Sequence, residues 1–247
     1  MKHILHAALI CVVFLPALTT RAAIHSQQVG ADTFVSSGQP NINFGNQGAM
    51  EIAAPTAAQP RTQMTLFRFD TSALQTAFDL DYGAGDWVVT SVSLTFFSNV
   101  STAGQQPGNS SFNRIAAGNF EFDLLSNNSW SEGGSTWNTL PDILPGIGNS
   151  NSLTPLGTFF WPASGSTSST WTLNLDAKLV DAINDGSQIT ILGQPTAGST
   201  VGYLYNTLTL NPGYLNVTAE AVPEPSTVAL IAGFLCFIGR SRFYRRE

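Results

Sequence analysis

Val92-Ser93-Leu94-Thr95-Phe96 alternates apolar and polar side chains without a break, and Leu215-Asn216-Val217-Thr218 repeats the pattern far along the chain. A period of two puts Val92, Leu94 and Phe96 on one face of a strand and Ser93 and Thr95 on the other. Such a strand belongs to a sheet with one buried and one solvated face, as antiparallel sheets have. Working outward, segments rich in Val, Phe, Thr and Leu alternate with Gly, Asn, Ser and Pro punctuation. They predict strands over residues 33–36, 50–53, 63–69, 88–97, 120–124, 156–160, 171–175, 188–192, 202–209 and 214–219. Short strands with turn signals between them predict an all-β fold, a single antiparallel β-sandwich.

Two short helices interrupt the strands. Residues 72–78 open on Ser72 with Gln75 three positions later, a capping-box pattern. Residues 176–184 open on Asp176 as N-cap, place Leu179, Val180 and Ile183 on one face, and stop before Gly186. Long loops rich in Gly, Ser, Asn and Gln cover residues 99–113, 145–151 and 164–169. On a sandwich, such loops are the usual place for binding.

Both ends of the 247 residues differ from this body. Residues 1–22 read as a secretory signal helix. Lys2 supplies the positive start, Ile4 to Leu18 the apolar run, and Thr20-Arg21-Ala22 a cleavage site after Ala22, with Ala23 as the alternative. Sec translocase and signal peptidase are the partners this implies. The sandwich body then covers residues 23–220. Residues 221–247 have three parts in fixed order: Val222-Pro223-Glu224-Pro225-Ser226, an uncharged apolar run over 227–239, and a basic tail over 240–247 with Arg240, Arg242, Arg245 and Arg246. Thirteen helical residues span roughly 20 Å, short of the roughly 30 Å hydrocarbon core, so the run is a marginal membrane helix. The arginines hold the C-terminus in the cytoplasm and put the body across the membrane. Pro223 and Pro225 keep the helix from starting earlier and leave an extended peptide at the outer face.

This tail resembles the PEP-CTERM sorting signal of Gram-negative bacteria, which is also catalogued as the C-terminal segment of some ice-binding proteins. The resemblance covers about the last 26 residues. It implies recognition by an exosortase, processing near Pro223-Glu224-Pro225, and an inner-membrane intermediate delivered to the cell surface or extracellular matrix. It says nothing about what the body does.

Charge and cysteine use narrow the chemistry. From Ile24 to Ala221 the chain has four basic and fourteen acidic side chains, a net charge of −10. That surface repels nucleic acid and anionic membranes, and argues against a broad basic platform for an acidic polysaccharide. Cys11 and Cys236 lie in the two terminal segments, so the body holds itself together without disulfides and has no thiol chemistry. His25 is the only histidine beyond residue 22, which leaves a Ser-His-Asp triad or His-ligated zinc without its base or ligands. No GxxxxGK[ST] loop is present. Glu121 and Asp123 alternate on one strand face, and glycosidases need two carboxylates about 5–10 Å apart. In so acidic a chain a chance pair is expected, and no catalytic residue is assigned. Asp79, Asp81 and Asp86 are the densest acidic cluster. Oxygen ligands close in sequence suit a structural calcium ion, but the spacing is not that of an EF-hand, and a solvated acidic loop is the favoured reading. No other cofactor is expected.

A second resemblance rests on three patches: Ala31-Asp32-Thr33-Phe34-Val35-Ser36 with its continuation to Gly45, Leu66-Phe67-Arg68-Phe69-Asp70-Thr71-Ser72, and Ser129-Trp130-Ser131-Glu132-Gly133-Gly134-Ser135-Thr136-Trp137-Asn138. Their order is similar to that of the DNRLRE-type sandwich, a carbohydrate-binding-module-like jelly roll, over roughly residues 31–219. Residues 77–87 look like an insertion after the first helical turn. In the third patch, Trp130 and Trp137 could stack on sugar rings while Glu132 and Asn138 bond hydroxyls. The alternative is that both rings close one end of the core and Glu132 ties the loop. Together these features predict a non-enzymatic exported protein of the envelope, biofilm or exopolysaccharide. A carbohydrate-binding module is the first alternative, and an extracellular polysaccharide-acting enzyme the second.

Overall fold

The computed structural model describes residues 21–98, 115–146, 149–163, 168–208 and 211–222. In chain order the elements are β1 (Ala23–Gln28), β2 (Ala31–Ser36), β3 (Ala49–Ala53), β4 (Gln63–Asp70), α1 (Ser72–Tyr82), β5 (Trp87–Phe96), β6 (Gly118–Leu125), α2 (Leu140–Ile143), β7 (Leu153–Trp161), β8 (Ser169–Thr172), α3 (Ala177–Asn184), β9 (Gln188–Pro195), β10 (Gly202–Asn206) and β11 (Tyr214–Ala221). They form two antiparallel sheets. The smaller runs β1-β11-β5-β8; the larger runs β10-β3-β4-β9-β6-β7, with β2 also paired to β4. The chain is thus mostly β, sandwich-like, with few short helices.

The opening alternation sets the smaller sheet. Val217 opposes Val92 and Leu215 opposes Leu94 across β11 and β5, and all four side chains are fully buried. The intervening Ser93, Thr95, Asn216 and Thr218 face outward. There Ser26 Oγ donates to Asn216 Oδ1 (2.7 Å), Asn216 Nδ2 donates to Thr95 Oγ1 (2.9 Å), and Thr95 and Thr170 share a hydroxyl bond (2.8 Å). One polar row therefore stitches all four strands together on the wet side. Between the sheets lies an aromatic core: Phe67 stacks on Phe96 at 4.6 Å, Tyr203 on Trp161 at 4.3 Å, and Phe120, Phe122, Phe34 and Phe69 are at most 1% exposed. Each such side chain contributes about 1.5–3 kcal/mol on burial, which a cysteine-free body needs.

A second cluster lies on the far face of the larger sheet. Ala31, Val35, Leu66, Leu125 and Leu192 pack beneath Trp130, Leu140 and Ile143. Residues 126–144 thus add a partial third layer. Strands buried on both faces lose their alternation, which is why all six residues of β2 are buried and why Leu66-Phe67 and Ile191-Leu192 are consecutive core residues.

All ten expected strands are present, with ends shifted by a few residues. One strand, β1, was not expected, nor was α2. The capping box is not formed: α1 starts after Thr71, Gln75 Nε2 donates instead to Asn184 O (2.7 Å), and the Asp70 carboxylate accepts from the Ser72 N–H (3.1 Å). Residues 77–87, which the resemblance sets apart, extend that helix to Tyr82 and reverse at Gly83 and Gly85, whose φ of 103° and 78° suit glycine. By contrast α3 is as read: Asp176 accepts from Lys178 N, and Leu179 and Ile183 are buried. Thr71 Oγ1 lies within bonding distance of the Ala182 and Ser187 carbonyls and joins the two helices.

Candidate functional site

The tryptophan patch is a structural tie. Trp130 is 5% exposed and presents no stacking face to solvent. Its Nε1 donates to Thr190 Oγ1 (2.9 Å), which donates in turn to Asn128 Oδ1 (2.7 Å). Trp137 packs half-buried on the same cluster. Glu132 serves through its backbone: its carbonyl accepts from Asn43 Nδ2 at 2.6 Å, and the same amide donates to Ser135 O at 2.8 Å. Partial burial pushes the Glu132 carboxyl pKa up, against the pull of Arg68. Asn138 bonds Asn41 Oδ1 (2.7 Å) and, through its N–H, Pro40 O (3.0 Å). The patch therefore fastens residues 40–45 to the third layer, and the sugar-stacking reading of Trp130 is corrected by its burial.

The three aspartates are not one loop. Asp79 and Asp81 lie on α1, and their carboxylates have separate partners: Trp87 Nε1 donates to Asp79 (2.7 Å), and His25 Nε2 lies 2.7 Å from Asp81. Asp86, beyond the turn, accepts from Val222 N through its backbone (2.8 Å). Among the described residues no three His, Cys, Asp or Glu side chains converge as metal ligands. Of the residues expected to form a sorting signal only Val222 is described, 44% exposed. Pro223, Glu224, Pro225, Ser226, the apolar run and Arg240, Arg242, Arg245 and Arg246 lie outside the described residues, as do residues 1–20 of the expected signal segment and residues 99–114. Among the described residues no helix is long and apolar enough to cross a membrane.

A different surface brings functional groups together. On the outer face of the larger sheet, beyond the third layer, Asn119 opposes Phe160 and Glu121 opposes Thr158 across β6 and β7, while Glu121 also opposes Gln194 across β6 and β9. Directly opposed residues share a face with Cβ atoms about 4.5–5.5 Å apart. Phe160 is 57% exposed, whereas its neighbours Phe159 and Trp161 turn inward onto Phe120 and Tyr203. Gln194 Nε2 donates to Asp123 Oδ2 at 2.9 Å. Partial burial raises the Glu121 pKa, the Asp123 charge adds to it, and the Gln194 amide opposes both; burial likewise raises Asp123. Glu121 and Asp123 stand out in the sequence as a carboxyl pair on one strand face, whereas Phe160 does not stand out. The signal was there: in Phe159-Phe160-Trp161, a period of two forces the middle ring out.

Elsewhere, a cleft of about 210 Å³ lies between α3 and the ends of β6, β7 and β9. Lys178 is at its rim, with Nζ 3.5 Å from Thr154 Oγ1.

No protein-family model matches the chain, and no curated protein matches it. Among solved structures it is similar to VP1 of Trichodysplasia spinulosa-associated polyomavirus, at 12% identity over 85% of this chain and 98% of VP1, with a TM-score of 0.24. VP1 in complex with 6'-sialyllactose matches at 10% identity, the same coverage and the same TM-score.

Proposed function

We propose that this chain is a non-enzymatic exported protein, sorted by an exosortase system to the cell surface or matrix, where it contributes to envelope, biofilm or exopolysaccharide structure. The observation that carries this reading is the ordered tail Val222-Pro223-Glu224-Pro225-Ser226, apolar run, arginines. The body is consistent with it: a disulfide-free sandwich, acidic overall, whose ends are tied by side chains. A jelly-roll relationship to carbohydrate-binding modules is the finer form of the fold reading. A binding module is the second functional reading, favoured by the exposed Phe160 beside amide and carboxyl groups. Of the carboxyl pair that the sequence offers to an enzyme acting on polysaccharide, Glu121 and Asp123, the second is 5% exposed and held by Gln194.

Fractionation of the native bacterium tests the sorting reading. The wild-type chain should reach the surface or medium shorter than its precursor. Replacing Pro223 and Pro225 by alanine should leave a form that keeps its C-terminal tail in the inner membrane. Unprocessed protein in the cytosol would overturn it.

A further inference from the structure

We propose that the Phe160 face of the larger sheet binds a neutral polysaccharide. The inference rests on the surface-and-matrix reading and names the ligand class and the site within it.

The face consists of two rows across three strands. One row is Thr158, Glu121 and Gln194; the next is Phe160 and Asn119, closed by Thr196, whose N–H and hydroxyl both reach Asn119 O at 3.3 Å. Rows stand about 7 Å apart and strands about 4.8 Å, so the patch measures roughly 7 by 10 Å. That is the footprint of one or two sugar rings. A protein interface needs about 1,200 Å² with an apolar centre, and here, among the described residues, one ring stands among polar groups.

Each component matches pyranose chemistry. The Phe160 ring offers an apolar plane for the axial C–H face of a sugar. Around it, Asn119 supplies a donor and an acceptor, Thr158 both in one hydroxyl, and the Glu121 carboxylate acceptors for hydroxyl protons. Asn119, Thr158 and Phe160 are exposed, Glu121 and Gln194 half-buried. Sheet pairing fixes the backbone that carries these side chains, so no backbone ordering is needed on binding. Charge selects the class. Among the described residues Glu121 and Asp123 are the ionisable groups of the patch, in a body of net charge −10. A uronate or sulfated chain meets repulsion there, whereas a neutral chain meets only hydrogen-bond partners.

Isothermal titration of the full-length chain, purified in detergent, decides the matter. The probes are the neutral hexasaccharides of β-linked glucose, mannose and galactose, with hexagalacturonate as the anionic control. At least one neutral hexasaccharide should bind saturably, and Phe160→Ala should weaken it about tenfold or more, equivalent to about 1.4 kcal/mol, with an unchanged unfolding midpoint. Asn119→Ala should weaken it too and serves as the second variant. Absence of binding to all three neutral probes, binding unaltered by Phe160→Ala, or preference for hexagalacturonate would each overturn the proposal. Export is read separately by fractionation. Lost binding with intact export removes the site alone; intact binding in a cytosolic chain removes the sorting reading alone.

Discussion

The Arg68 guanidinium lies 5.1 Å from the centroid of the Trp130 ring, and its Nη1 donates to the Trp130 carbonyl at 2.7 Å and to Asn128 O at 3.2 Å. Arg68 rises from the outer face of β4, so this contact fastens the third layer to the sheet. Trp130→Ala should cost about 3–5 kcal/mol, the usual range for emptying a buried indole site. Denaturant unfolding checks it; a loss below about 1 kcal/mol would return Trp130 to the surface.

Lowering the pH from 8 to 5 should stabilise this protein. Asp32 is 2% exposed, accepts from Leu208 N at 2.7 Å, and has its pKa pushed up to about 7 from 3.8, chiefly by burial, with Glu132 adding to the rise. A carboxyl raised in the folded state favours folding fully below its unfolded value. That contribution is lost as pH rises toward and through about 7. Glu121, Asp123 and Glu132 are shifted the same way. The melting temperature should therefore fall between pH 5 and pH 8, and Asp32→Asn should flatten the fall without abolishing it.

Asn43 and Gly45 should act as one unit. Asn43 closes two carbonyls of residues 132–135, and a Cβ on Gly45 would collide with the Glu132 backbone carbonyl. Asn43→Ala should cost about 1–3 kcal/mol through unsatisfied acceptors, and Gly45→Ala about as much through overpacking. Because both undock the same loop, the double variant should lose less than the sum.

The His25–Asp81 pair should matter little. Its side chains are 33% and 42% exposed, and exposed pairs contribute about 0–1 kcal/mol. Asp81→Asn should leave the unfolding midpoint nearly unchanged.

How much of this was legible depended on whether side chains alternated. In β5 and β11 they do, and the strands, their buried faces and their outward Ser, Thr and Asn could be read directly. In β1, Ala23-Ile24-His25-Ser26-Gln27-Gln28 offers too little apolar character to announce a strand. It is one because β11 has a free edge beside it. The helix at Ser72 was read short because Asp79, Asp81 and Gly83 look like loop residues, yet Phe78 and Tyr82 hold the extra turn against the sandwich. Trp130 could be read two ways. Only the third layer, formed by contacts distant in sequence, decides between an exposed ring and a buried one. Phe160 was hidden for the opposite reason, since three adjacent aromatics suggest a core until the pleat assigns each a side.

The pairing of β11 has a mechanical consequence. Ala23 opposes Ala219, so the first strand begins where the last one ends. Force applied at Ala221 along β11 would therefore act on a strand held on both flanks, by six residue pairs to β1 and eight to β5. That load shears both ladders together instead of opening them rung by rung. A strand so placed yields only when many bonds break at once.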